Sequence, residues 1–202
     1  MMLRTSVFSV ALLLCASSAP AAPWFEIGDA GNLPASAQTT IGAGALTVIQ
    51  GTLAANNDQD MYCIRVSDPQ AFVASLNCVA FDNNDLWLFD VAANGVRGND
   101  GCTGGQTNVG PGVTLAGTYY LAVSPSGDDA LNGAAPIWNP PSVGTQRSPD
   151  GAGAPGPVSG WSNAGVVSSF NNYTIQLAGC AFCDTATPAT SDTWGRLKLI
   201  YR

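Results

Sequence analysis

Where the chain shows a hydrophobic period, apolar residues fall on every second position, and no segment carries a convincing helical period. Such alternation marks half-buried strands. It predicts strands at Leu46–Leu53, Met61–Val66, Ala71–Val79, Asp85–Ala92, Thr118–Ser124 and Tyr173–Ala178. Turn-forming clusters separate them: Asn56-Asn57-Asp58, Asp82-Asn83-Asn84, Asn94-Gly95 and Gly98-Asn99-Asp100-Gly101. These residues either tolerate positive φ or hydrogen-bond their own backbone. Tyr62/Ile64/Val66 and Tyr173/Ile175/Leu177 read as core faces, whereas Leu86-Trp87-Leu88-Phe89 is apolar on both sides and reads as a central strand covered on each face. Short strands at this spacing define an all-β fold, an antiparallel β-sandwich or jelly roll.

Two segments break the pattern. Residues 139–160 hold five Pro and five Gly and almost no core formers. So long a loop in a compact domain is expected to be functional or mobile, or else a tolerated insertion. Trp138 and Trp161 bracket it and are expected to staple its ends to the sandwich. Residues 184–192 read as a linker, and 193–202 form a basic, aromatic tail that reads either as a sorting or docking signal or as a last edge strand. The sandwich itself is expected over 23–183.

Charge narrows the function. Seven Lys/Arg oppose fourteen Asp/Glu, a net charge of −7, which argues against nucleic acid or an anionic membrane surface as a partner. The chain has no His and one Glu, Glu26. Triads and metal sites built on imidazole are therefore absent. Paired carboxylates could serve glycoside hydrolysis, but the aspartates sit in turns that already account for them, and no G-x-S-x-G occurs. A non-enzyme is expected.

Met1 to Arg4 is a short basic start, Val7 to Cys15 an apolar stretch, and Ala16 to Ala22 a run of small residues. Residues 1–22 thus read as a secretory signal peptide, cleaved after Ala21 or Ala22. Lipidation at Cys15 is disfavoured by the bulky Leu14 before it. No later stretch reaches the length of a membrane span. Export puts the remaining cysteines, Cys63, Cys78, Cys102, Cys180 and Cys183, in an oxidising compartment. Neighbouring strands suggest a Cys63–Cys78 bridge, although the two side chains fall in opposite phase. Cys180-Ala181-Phe182-Cys183 reads as one structural disulfide or two separate pairings.

Five motifs in order, Glu26-x-x-Asp29, Asn57-Asp58-Gln59-Asp60-Met61-Tyr62, Asn84-Asp85-Leu86-Trp87-Leu88-Phe89-Asp90, Gly117-Thr118-Tyr119-Tyr120-Leu121-Ala122-Val123 and Tyr173-Thr174-Ile175-Gln176-Leu177, resemble the bacterial pre-peptidase C-terminal domain over residues 24–180. The resemblance implies a secreted β-sandwich without catalysis of its own. Relatives among the collagen-binding domains of secreted collagenases bind calcium through acids near the N-terminal segment, which implies Ca²⁺ as a cofactor here.

Ca²⁺ takes six to eight hard oxygens and needs neither His nor Cys. Glu26, Asp29, Asp58 and Asp60 are the candidate ligands, with Asn57 nearby, and Asp85 with Asp100 is a candidate second cluster. The same aspartates suit turn capping, so both readings stand. The expected function is an exported, non-catalytic module acting in binding or adhesion at the cell surface or outside the cell. Its expected partner is an extracellular polymer or an envelope protein, with Trp24, Trp138 or Trp161 as stacking residues. The alternative is a self-associating structural subunit of a filament or surface layer.

Overall fold

The computed structural model describes residues 20–77, 84–101, 106–139, 144–165 and 172–185. Residues 1–19 of the expected leader (with Cys15), Cys78, Cys102, residues 186–192 of the expected linker and the expected tail 193–202 lie outside the described residues. The strands, in chain order, are β1 (Ala22–Phe25), β2 (Gln38–Thr39), β3 (Ile41–Gly42), β4 (Leu46–Thr52), β5 (Asp60–Val66), β6 (Val73–Asn77), β7 (Asp85–Asp90) and β8 (Gly95–Asn99). They continue with β9 (Gln106–Val109), β10 (Gly117–Ser124), β11 (Ala130–Asn132), β12 (Ala135–Pro136), β13 (Gly160–Trp161), β14 (Asn172–Ala178), β15 (Cys180–Phe182) and β16 (Asp184–Thr185). No helix occurs among the described residues, and all six alternating segments are strands.

One sheet runs β1-β4-β14-β6-β9 and the other β15-β5-β10-β7-β8, with β2 added beside β5. Most pairs are antiparallel, but β1 joins β4, and β2 joins β5, in parallel. The facing residues form one core: Ile49, Ile175 and Leu76 from the first sheet meet Tyr62, Ile64, Leu86, Leu88 and Leu121 from the second. Period-two side-chain placement makes this arrangement obligatory, because a register slip would turn each apolar set outward.

The double-sided apolarity of β7 has a direct structural counterpart. Leu86 and Leu88 enter the inter-sheet core, whereas Trp87 and Phe89 point the other way into a second cluster with Met61, Ala122, Ile137, Trp138, Val158 and Trp161. This cluster lies under the segment that follows β10, so the second sheet is covered on both faces. The Trp138 ring lies 5.0 Å from that of Trp87, tilted by 43°, and edge-on at 5.7 Å to Phe89. The Trp161 indole donates to the Asn32 carbonyl at 2.7 Å. The two tryptophans thus anchor the Pro/Gly-rich loop rather than offering stacking surfaces, and Trp24, half-buried, donates its indole N–H to Gln38 at 2.8 Å.

The described part of that loop is bonded to the body along its length. Gly98 and Arg147 exchange two backbone hydrogen bonds of 3.0 Å, and the Gly151 and Gly153 amides donate to the Ile137 and Pro136 carbonyls. Glycine is required at 151 and 153 because a Cβ would come within 2.1 Å of the Pro136 oxygen and 2.4 Å of the Ala135 oxygen. Glycine content here reflects close backbone packing.

The expected Cys63–Cys78 bridge is not the one formed. Cys63 is bonded to Cys183, 120 residues away. Its side chain leaves β5 on the face opposite Tyr62 and Ile64, the phase mismatch already visible in the alternation, and that face meets the segment after β15. Cys180 is a buried free thiol; burial pushes it up to about 12, which leaves it unreactive. Asp184 and Thr185, in the expected linker, pair in parallel with Ile41 and Gly42.

Candidate cation site and adjoining groove

The end of β1 and the start of β5 meet at one rim of the sandwich. Beyond Phe25 the chain turns through Gly28, at φ +72°, and the Met61 amide donates to the Gly31 carbonyl. This places Glu26, Asp29 and Asp60 so that each offers a carboxylate oxygen within 4.8 Å of the other two. No other trio of acidic side chains among the described residues is drawn this close. Three of the four acids expected to converge do so. Asp58 adjoins them; its Oδ2 accepts a hydrogen bond from the Ala54 amide, the turn-capping role, while its charge is felt at both Glu26 and Asp60. Asn57 lines a small cavity of about 240 Å³ with Asp29 and Asp58.

Each carboxylate is held differently. Glu26 accepts the Ala30 amide at 3.0 Å and the Thr52 amide at 2.8 Å, tying the turn to β4. Asp60 is fully buried. Its Oδ2 accepts the Tyr173 hydroxyl at 2.6 Å, and the Tyr173 oxygen lies 2.5 Å from that of Tyr62, so the chain of hydroxyls crosses from one sheet to the other. Asp60 Oδ1 has no hydrogen-bond partner. Burial, and then the charges of Glu26, Asp58 and Asp29, push Asp60 up to about 8 against the pull of Tyr173. Burial also raises Glu26 and Asp58, partly offset by their backbone donors.

Alongside lies an open groove of about 690 Å³. Its wall is the outward face of β4 and β14, where Gln50 opposes Thr174 and Thr52 opposes Asn172. Phe25, 59% exposed, forms one edge, while Glu26, Asp29 and Tyr173 border the groove as well. The wall carries amides and hydroxyls and no charge. Phe25 and Tyr173 were not among the expected site residues. Phe25 sits directly before Glu26 in a strand too short for its alternation to stand out, and Tyr173 reads from sequence as plain core.

Asp85 and Asp100, the expected second cluster, stand elsewhere, on the β7–β8 pair. Asp85 is fully buried and accepts the Gly127 amide at 3.0 Å through Oδ2. Burial and the charge of Asp100 raise it well above the usual carboxylate range.

No family model, curated protein or solved structure matches the chain. Among the described residues no helix is long and apolar enough to cross a membrane.

Proposed function

We propose that this chain is an exported, non-catalytic binding module that holds a neutral, hydroxyl-rich extracellular polymer in the groove beside a Ca²⁺ site. Asp60 carries the reading. A fully buried carboxylate with one unpartnered oxygen, facing two further carboxylates and no cation, is a costly arrangement for the protein alone. The donor set suits a hard cation. Glu26, Asp29 and Asp60 would hold it, with Asp58 contributing charge from the side. A bound divalent ion would supply the positive charge that this rim lacks and fix the turn between Phe25 and Ala30.

The polymer class follows from the wall. An uncharged strip of amides and hydroxyls with an exposed aromatic edge favours ligands rich in hydroxyls, and the acidic body disfavours polyanions. The resemblance to the pre-peptidase C-terminal domain supports an exported binding role, and the Cys63–Cys183 disulfide suits an oxidising compartment. Depletion assays on insoluble cellulose, chitin and a neutral β-glucan, each in millimolar Ca²⁺ and in chelator, test it. Retention on at least one polymer is expected in Ca²⁺, and is expected to fall in chelator and in Phe25→Ala and Glu26→Gln. Equal retention of all three proteins with and without Ca²⁺ would remove the proposal.

A further inference from the structure

The second acidic cluster poses a problem that turn capping does not solve. Asp85 opens β7 and pairs with Ser124 of β10. On its other side the antiparallel register Leu86↔Asn99 brings Asp100 beside it at the next step. Like charges in adjacent positions across strands destabilise a sheet. Asp129, half-buried at the start of the segment that covers this face, adds a third negative charge, acting on Asp85 in the same sense as Asp100.

Asp85 is 0% exposed, and its Oδ1 has no hydrogen-bond partner. The basic group felt in this neighbourhood is Arg147, whose charge bears on Asp129 and whose guanidinium is engaged by Asp150 at 3.2 Å. The Gly127 and Gly101 amides favour the charged form of Asp85. The carboxyl is therefore buried, kept receptive to positive charge and left one partner short.

We infer that Asp85, Asp100 and Asp129 form a second divalent-cation site, independent of Glu26–Asp29–Asp60, that clamps the segment after β10 to the outer face of the second sheet. Asp85 and Asp100 come from the sheet and Asp129 from the covering segment, so one ion joins the two layers. The three carboxylates are not drawn as close together as those of the first site, so water and main-chain carbonyls would complete the shell of a Ca²⁺ ion held there. Through Ser124, which accepts the Trp87 indole N–H at 2.8 Å and donates to the Asp128 carbonyl at 2.9 Å, the site adjoins the aromatic cluster beneath that segment.

The test uses the full mature chain carrying Glu26→Gln and Asp29→Asn, which removes the first site and leaves the second to be read by itself. Tb³⁺ is titrated with excitation of tryptophan, and Ca²⁺ is added as competitor. Saturable luminescence that Ca²⁺ displaces is expected, since Trp87 adjoins the site. Adding Asp85→Asn should abolish it, and adding Asp129→Asn should weaken it about tenfold or more. Asp129 is half-buried, so its variant remains informative if the Asp85 variant does not fold. No saturable signal in the background protein, or a signal unchanged by Asp129→Asn, would overturn the inference. Loss of Ca²⁺ binding in Glu26→Gln alone bears on the first site and leaves this one standing.

Discussion

Replacing Asp60 with Asn tests the physics of the rim directly. A carboxyl whose folded-state value lies above its unfolded one binds its proton more tightly in the folded protein. Its contribution to stability is then complete below the unfolded value and is lost as pH rises through the folded one. For Asp60 the window runs from 3.8 to about 8. At roughly 1.4 kcal/mol for each pH unit, full amplitude is about 6 kcal/mol. Neighbouring acids titrate with Asp60, so we expect about 3 kcal/mol of it in practice. Glu26 and Asp58 are raised as well and act in the same direction. Urea unfolding in chelator from pH 4.5 to 9 should therefore show stability falling steadily, and millimolar Ca²⁺ should flatten the fall by favouring the ionised form. Asp60→Asn keeps an acceptor for the Tyr173 hydroxyl and removes the charge. It should be more stable than wild type at pH 8.5 in chelator, show a shallower slope, and respond less to Ca²⁺. A wild-type stability independent of pH across this range, or a variant with an unchanged slope, would refute the reasoning.

The Cys63–Cys183 bond closes a loop of 120 residues; Cys63→Ala with Cys183→Ala should lose about 4 kcal/mol in urea unfolding, and a loss below about 1 kcal/mol would show that the bond constrains little. Trp138→Ala removes the centre of the second cluster and should cost about 3–5 kcal/mol, whereas Val91→Ala, at a position 67% exposed, should stay within about 0.5 kcal/mol. Gly110 combines φ +146° with a Cβ position 2.5 Å from the Phe72 oxygen. Gly110→Ala should lower stability by about 2 kcal/mol or more, read as a fall in Tm at unchanged fold by circular dichroism.

The sandwich was legible in the alternation because one face of each long strand is buried, and that requirement writes itself into every second residue. Its success is clearest at Leu86 to Phe89, where the loss of alternation is itself the signal of a two-sided strand. The short strands were not legible. Two residues such as Gln38–Thr39 or Asp184–Thr185 carry no period, and their pairing is decided by what lies beside them. The disulfide was misassigned because adjacency along the chain outweighed phase, although the phase of Cys63 already pointed away from its strand neighbour. The Pro/Gly-rich loop resembles an unpacked segment in composition, yet several of its glycines allow backbone to lie against backbone. Of the first acidic site, the carboxylates themselves were legible as a group of acids near turns. Tyr173 was not, since its ring satisfies the core pattern and only its hydroxyl belongs to the site.

The two acidic clusters follow from one feature of the composition. Residues 23–191 contain thirteen acids and three bases, and none of the three arginines is placed to neutralise a buried aspartate. Arg65 is exposed on β5. Arg97 donates to the Pro111 and Gly112 carbonyls and to Ser148, and Arg147 pairs with Asp150, so both are spent on holding loops together. Among the described residues no base is placed to compensate Asp60 and Asp85, which leaves protons or metal ions as the compensating charge. A cation would offset the charge and also ligate Asp60 Oδ1 and Asp85 Oδ1, the two buried carboxylate oxygens without a hydrogen-bond partner. Stability should therefore depend on divalent cations more steeply at pH 8.5 than at pH 5, where protons already compensate part of the charge. Monovalent salt, which screens exposed charges but cannot ligate a buried oxygen, should not substitute. Equal rescue by Na⁺ at matched ionic strength would mean that the acids act as a diffuse field rather than as sites.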